Sequence, residues 1–494
     1  MDGNILVWLL AVPLLTALGA FVSRSRAMAE AVHLAGSAVL LGLSLALGGQ
    51  VLAGGSLVAF ADLLHADSLS AVLVLIIGSV GFLAGLHSVG YLRHDLAAGE
   101  TDEKGLRSYY GFYHLLLFTT VLAALSNNIA ILWAAVEGTT LASAFLVGFY
   151  RRQTAQEAAW KYVLICGVGL AFALFGTVLT YADAFHVLQD AHRAMAWTEV
   201  VQVADRLDPQ LARLAFVFIL IGYGTKLGLV PMHTWLPDAY GEAPSPATAL
   251  LSGVVKKGAL FALIRFYPIT ARAVGGGFPQ TLLLVFGLLS VAVAAFFILR
   301  QDDLKRKLAY SSVEHVGIIA TALGTGVPLG ILAGLFHAVN HSVSKSLAFC
   351  AVGNVEMKYR TREAGRIQGM LRAAPLTALA FLAGLLAMVG SPPTALFASE
   401  LMTLTAAFQR GLFWPALLLL ALLVVVFVAF FLVISETLFG PAPAGMARSE
   451  PGPVALTLVP LAVLILFLVA LGLQIPAPLL RLLEGAVAVV TGGA

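Results

Sequence analysis

Residues 222–246 read GYGTKLGLVPMHTWLPDAYGEAPSP and close an apolar run that begins near residue 210. Lys226 stands inside hydrocarbon-like sequence, and Gly228 and Pro231 follow at once. A proline removes an amide donor and clashes with the preceding turn. In a bilayer the carbonyls so released must find partners in protein or water. The stretch therefore predicts a membrane helix that breaks beside a charge and lines a hydrated cavity. A proline kink used only for packing is the alternative. The same design returns in LLAMVGSPPTALFASELMTL, residues 385–404, where Gly390, Pro392 and Pro393 precede Glu400. Two broken helices with a charge beside each break read as corresponding members of two structural repeats.

Composition places these breaks in a polytopic membrane protein. The 494-residue chain is 60% hydrophobic and 11% charged, with a mean hydropathy of +0.94, against about 25% charged residues in soluble domains. Apolar runs of about 18 residues or more recur from end to end, each long enough to cross a core of about 30 Å. About fourteen such spans are predicted, near 4–22, 31–53, 67–92, 108–126, 128–149, 157–182, 210–231, 246–271, 279–299, 308–324, 328–355, 373–409, 412–438 and 453–475. The expected organisation is residues 1–107 as N-terminal helices, 108–271 and 272–438 as two five-helix repeats, and 439–494 as a last helix and tail. The seventh and twelfth helices are the broken ones. The first span has no basic leader segment or small-residue cleavage site, so it is expected to stay in the mature protein.

Basic residues alternate between loops. Arg24, Arg26, Arg93, Lys104, Arg107, Arg151, Arg152, Arg300, Lys305, Arg306, Lys307, Lys358, Arg360, Arg362, Arg366, Arg372 and Arg448 belong to one set. The intervening loops hold Arg193, Arg206, Arg213, Arg272 and Arg410, and the loop after the seventh span has no Lys or Arg. By the positive-inside rule the first set faces the cytoplasm and both termini face the opposite side.

Glu137, Lys161, Lys226, Lys256, Lys257, Lys345 and Glu400 stand within the apolar spans. An ionisable group at the bilayer centre costs about 2.5–3.5 kcal/mol on insertion scales, so several in one chain need a watery path or mutual pairing. Ion movement is one reading and structural ion pairs between helices the other. His337, His341 and Lys345 recur every four residues and share one helix face, a spacing suited to a proton relay because histidine can pass a proton between its ring nitrogens. No carboxylate or cysteine shares that face, so a metal set is incomplete there. Cys166 and Cys350 are single and far apart, and an iron–sulfur cluster usually takes four thiolates. No Gly-rich dinucleotide fingerprint follows a strand-like run. Any redox chemistry belongs to other chains.

The segment PMHTWLPDAYGEAPSPATALLSGVVKKGALFALIRF, residues 231–266, resembles the antiporter-like membrane subunits of respiratory complex I, membrane-bound hydrogenases and multisubunit cation/proton antiporters. The resemblance extends from about the third helix to the thirteenth. It implies a fourteen-helix all-α fold with inverted five-helix repeats, in a bacterial or archaeal cytoplasmic membrane.

The resemblance also implies roles. Glu137, in WAAVEGTTLASA, is similar to the family's fifth-helix glutamate, and Lys226 to its partner lysine on the broken seventh helix. Lys257 resembles the central eighth-helix lysine because it stands eight residues before Arg265, which leaves Lys256 as an extra charge on another face. His337, His341 and Lys345, in LFHAVNHSVSKSLAF, resemble the family's histidine and lysine helix, and Glu400 the terminal ionisable residue. The implied proton path runs from Lys257 along His337, His341 and Lys345 to Glu400, with Glu137 and Lys226 as an electrostatic switch. His233, Asp238, Lys256, Glu314 and His315 are accessory candidates. Glu314 either tunes proton uptake or caps the basic loop before it.

VEGTTLASA (136–144) and YSSVEHVGI (310–318) resemble the F-type branch of the hydrogenase-4 family. The implied function is a proton-translocating subunit with no redox centre of its own, in contact with lipid and not nucleic acid. Other membrane subunits and a soluble arm with iron–sulfur clusters, and nickel–iron in a hydrogenase, would be its partners. A quinone-reducing complex I subunit, a cation/proton antiporter subunit, an energy-coupling component of an inorganic-carbon uptake complex and a scaffold of paired charges remain open.

Overall fold

The computed structural model describes residues 4–492. In chain order come α1 Asn4–Val22, α2 Arg26–Gly54, a hairpin of β1 Leu57–Ala59 and β2 Leu64–Ala66, α3 Ser68–Ala97, α4 Glu103–Leu125, α5 Ile129–Val147 and α6 Gln153–Leu188. Then follow the short α7 Ala191–Met195 and α8 Trp197–Gln202, α9 Pro209–Leu227, α10 Leu236–Glu242, α11 Ser245–Leu250, a π-helical segment Leu251–Val255 and α12 Lys256–Val274. Next are α13 Gly277–Arg300, α14 Leu304–Gly324, α15 Pro328–Tyr359, α16 Met370–Ala373, α17 Pro375–Met388 and α18 Ala395–Gln409. The chain closes with α19 Phe413–Leu438, α20 Val454–Thr457, α21 Val459–Leu473 and α22 Ala477–Thr491.

Among the described residues, 11 helices are long and apolar enough to cross a membrane, counting α11–α12 and α20–α21 as single spans. This is fewer than the fourteen spans read from sequence. α14 and α15 have the length but are more polar, and the run at 373–409 is divided into α17 and α18. The region expected to be a tail folds as α22 and packs against α3 and α15.

Local sequence sets the helix ends. Asn128 caps α5 by accepting from Ala130 and Ile131 amides, and Asp303 caps α14 by accepting from Lys305 and Arg306, which satisfies amides that have no partner inside the helix. Small residues let helices approach closely: a side chain at Gly222 would strike the backbone of Ala173 between α9 and α6, and one at Gly317 would strike Gly287 between α14 and α13.

Both expected breaks are present, and their freed backbone groups are satisfied inside the protein. α9 ends at Gly228, whose φ of 81° is left-handed. Trp235 Nε1 donates to Thr225 O at 2.9 Å, and the Val230 amide donates to Ser290 Oγ at 3.0 Å. In the second break, residues 389–394 separate α17 from α18, and Asn340 Nδ2 from α15 donates to Ala395 O at 2.9 Å.

The 30 residues Ser245–Val274 are the enclosed centre of the bundle, with every residue of their most apolar stretch buried. α1, α6, α13 and α19 instead present large apolar side chains outward, including Leu15, Phe172, Phe296 and Phe431. The two ends of the bundle differ in charge. At one end Arg362 reaches Asp303 at 3.0 Å, Glu242 at 3.8 Å and Glu356 at 3.9 Å, and donates to Gly241 O. Burial opposes the charge on Arg362, but the three carboxylates outweigh it and hold the guanidinium pKa above its ordinary value. Arg93–Glu30 and Arg152–Glu100 lie among the same basic loops.

At the other end Arg265, 3% exposed, makes a two-pronged pair with Asp67 at 2.6 and 2.9 Å. Its guanidinium also lies 4.2 Å from the Trp197 ring, and its carbonyl accepts from Trp197 Nε1 at 2.7 Å. This node ties α3, α8 and α12. Removing one partner of a buried ion pair costs about 3–5 kcal/mol, because a charge is left uncompensated. Asp67→Ala is therefore expected to lower the thermal unfolding midpoint of the detergent-solubilised chain more than Asp67→Ala combined with Arg265→Met. Equal midpoints for the single and double variants would remove the pair as a stabilising contact.

Candidate proton relay

The π segment Leu251–Val255 sits directly before two consecutive lysines. Such segments recur at functional sites because they turn the following side chains out of the regular helical register. Successive residues on a helix point about 100° apart, and here the two ammonium groups diverge. Lys256 Nζ donates to Ser312 O on α14 at 3.0 Å. Lys257 Nζ lies 2.7 Å from His341 Nδ1 on α15 and donates to Ser252 O at 3.3 Å. Both lysines are buried.

The contacts continue across α14, α15 and α18. The rings of His341 and His315 stand 5.2 Å apart, centroid to centroid. His315 Nδ1 is 3.0 Å from His337 Nε2, and His337 Nδ1 is 2.9 Å from Ser399 Oγ, next to Glu400. Gly390, at a left-handed φ of 60°, lies so close that a side chain there would collide with Glu400 Oε2. The second break thus packs its backbone on the Glu400 carboxylate.

This order corrects the one expected from sequence. His341 meets Lys257 first, His337 lies on the Glu400 side, and His315 stands between them. Lys345 turns toward the basic end, donating to Ser311 Oγ at 2.8 Å and Leu308 O at 3.0 Å. His337, His341 and Lys345 do share the α15 face that meets α14. Glu314 is no loop cap, since Asp303 performs that task. It is buried in α14 with neither carboxylate oxygen hydrogen-bonded among the described residues.

The first half of the chain carries its own buried lysine. Lys226 Nζ donates to Thr140 Oγ1 at 2.9 Å and to Tyr162 OH at 2.5 Å, and stands 4.6 Å over the Tyr162 ring. It makes no ion pair with Glu137, whose Oε2 is buried without a partner among the described residues. Thr140, one turn beyond Glu137, takes the place expected of that glutamate. Lys256 links the halves, since a side chain added at Gly228 would lie 3.7 Å from its Nζ. His233 lies buried in the same break with its ring 6.1 Å from that of Tyr310.

Lys161 is a correction. It is 47% exposed near the start of α6 and pairs with Glu157 at 2.6 Å and Asp238 at 3.3 Å. Asp238 also takes Arg306 at 2.8 Å. Both belong to the charged end of the bundle, because α6 begins at Gln153 and Lys161 is only two turns inside it.

Sequence reading missed the hydroxyl groups. A polar cavity of about 340 Å³ at the basic end is lined by Glu242, Asp303, Lys305, Glu356 and Arg362. Ser245 Oγ donates at 2.6 Å to Oε2 of Glu356, one of the lining carboxylates. Ser245, Thr248 and Ser252 then follow at three- and four-residue spacing, all buried, on one helical face. Ser252 Oγ lies 3.0 Å from Ser312 Oγ, beside both lysines. That spacing was visible in SPATALLSGVVKK, but small hydroxyls in membrane helices also serve packing, so the pattern alone does not select a path. Cys166 in α6 and Cys350 in α15 are both buried and on separate helices, and two thiols do not make the usual four-thiolate cluster set.

A family model described as NADH:quinone oxidoreductase/Mrp antiporter, TM, matches residues 126–427. The chain is 38% identical over 410 residues to the hydrogenase-4 component F homolog of Methylacidiphilum infernorum, covering 83% of this chain and 85% of that one. It is 31% identical over 424 residues to NADH-quinone oxidoreductase subunit N of Desulforudis audaxviator, covering 82% and 81%. Among solved structures, a chain of the archaeal membrane-bound sulfane sulfur reductase, a respiratory membrane complex, superposes with a TM-score of 0.87 at 26% identity, covering 99% of this chain and 98% of that one. The match spans both breaks and every relay residue named above, and the chain belongs to the NADH:quinone oxidoreductase/Mrp antiporter family of multi-pass, antiporter-like membrane proteins.

Proposed function

We propose that this chain is a proton-translocating subunit of a redox-driven membrane complex of the group 4 hydrogenase type. The observation that carries the reading is the 2.7 Å contact of Lys257 with His341, continued through His315, His337 and Ser399 to Glu400. The relative named hydrogenase-4 component F homolog supports the hydrogenase branch. By the same likeness, other membrane subunits and a soluble arm with iron–sulfur clusters, and nickel–iron if a hydrogenase, are the partners and supply the energy. The basic end faces the cytoplasm and both termini the opposite side, in agreement with the loop charges. Residues 108–271 and 272–438 act as the two repeats.

A proton enters the polar cavity at Glu356 and passes the hydroxyls of Ser245, Thr248 and Ser252 to Lys257. Lys257 gives it to His341 Nδ1, and the imidazoles of His315 and His337 carry it to the Glu400 carboxylate. Lys226 and Glu137 act electrostatically through Lys256, and Lys345 stands on the intake side, held by Ser311 and Leu308. The path is made of nitrogen bases and hydroxyls, with no cage of oxygen ligands such as hard cations require, which favours protons over sodium.

The test is proton pumping in membrane vesicles that carry the intact complex at matched assembly. Lys257→Ala and Glu400→Gln are expected to slow gradient formation at least about tenfold, the factor that ~1.4 kcal/mol represents. Lys161→Ala, in an exposed ion pair worth about 0–1 kcal/mol, is expected to leave it unchanged. Wild-type stoichiometry in both relay variants would return the buried charges to a structural role.

Gly390→Ala places a methyl group on Glu400 Oε2 and strains a left-handed position by about 1–3 kcal/mol. It is expected to impair translocation as Glu400→Gln does while the complex still assembles. Normal pumping in Gly390→Ala would show that the packing of the break on the carboxylate is unimportant.

A further inference from the structure

His315, His337 and Glu400 come from α14, α15 and α18, and each offers one ligand atom within 4.8 Å of the other two. All three are buried. The α15 face alone lacks a carboxylate, and the second break supplies one from another helix.

The arrangement has the features of a metal site. His315 Nδ1 and His337 Nε2 stand 3.0 Å apart, so they share one proton. A tetrahedral zinc ion with Zn–N of about 2.0–2.1 Å sets neighbouring ligand nitrogens about 3.3 Å apart, close to the separation already present. The other nitrogen of His337 is held by Ser399 Oγ at 2.9 Å, the kind of outer contact that orients a metal-bound imidazole. Glu400 Oε1, His315 Nε2 and both oxygens of Glu314 have no hydrogen-bond partner among the described residues. The nearest ammonium groups are committed elsewhere, Lys257 to His341 and Ser252, and Lys345 to Ser311 and Leu308. Imidazole nitrogens favour zinc-like ions over magnesium, calcium or sodium.

We propose that a divalent transition-metal ion of the zinc type binds to His315, His337 and the Glu400 carboxylate, in place of the proton shared by the two imidazoles. Uptake of one ion releases that proton, together with any proton on Glu400. Three protein ligands leave a fourth position for water, as in open zinc sites. Metal binding needs only this geometry. Its consequence, that zinc stops translocation by occupying the imidazole pair, rests on the relay reading.

The experiment uses the purified intact complex and zinc sulfate. After equilibration and desalting, wild type is expected to retain one more zinc ion per chain than His315→Asn or Glu400→Gln, measured by mass spectrometry of the metal. The X-ray absorption edge of that extra zinc should show nitrogen and oxygen ligands only. In vesicles the zinc concentration that halves proton translocation should rise at least about tenfold in His315→Asn, relative to that variant's own rate. Equal zinc content in wild type and both assembled variants overturns the site. Zinc retained by wild type alone, with translocation undiminished, supports the site and overturns the relay.

Discussion

The meeting of Lys257 Nζ and His341 Nδ1 at 2.7 Å sets the terms for the rest of the molecule. An amine and an imidazole that exchange a proton must be able to carry charge, and charge at bilayer depth is costly unless lipid is kept away. The segment bearing Lys257 is accordingly enclosed, with α3, α4, α9 and α13 against α12 and α15 against the π segment. Lipid meets the outward apolar faces of α1, α6, α13 and α19 instead. The polar helices α14 and α15, which fall short of ordinary membrane-span apolarity, sit beside this centre. Their polarity comes from the histidines, lysines and glutamate they bury.

Enclosure also explains why the helices can break. A freed carbonyl in lipid would cost several kcal/mol, but Thr225 O finds Trp235, and Ala395 O finds Asn340. Each break then does a second thing: the turn at Gly228 comes close to Lys256, and the turn at Gly390 packs on Glu400. Backbone turn and ionisable group are therefore adjacent at both places. A shift of either turn would change the surroundings of an ionisable group.

Much of this was legible in the sequence for physical reasons. Apolar runs, and proline and glycine at 228–231 and 390–393, report directly on lipid and on helix breaking. Lys226, Lys257 and Glu400 stood out because charge is expensive in hydrocarbon, and His337 and His341 because they recur every four residues on one helix face. The order of contacts in the candidate relay was not legible, since His315 is contributed by α14 and only packing brings it between His341 and His337. Lys161 misled because hydropathy does not reveal where a helix leaves the membrane. Thr140 and Tyr162, which hold Lys226 in place of Glu137, and the hydroxyls of Ser245, Thr248 and Ser252 carry no charge that a sequence scan would flag.

The adjacency of Lys256 and Lys257 supplies a physical reason for the two halves to act together. Two unit charges about 4 Å apart interact by about 4 kcal/mol at an effective dielectric constant near 20, and the energy falls in inverse proportion to their separation. Moving one charge through a 100 mV potential is worth about 2.3 kcal/mol. Repulsion between neighbouring ammonium groups is thus of the same order as the membrane term. Lys256 reaches back toward the break beside Lys226, while Lys257 faces His341. Lys256 therefore stands between the break that follows Lys226 and the Lys257–His341 contact, one residue of backbone from Lys257.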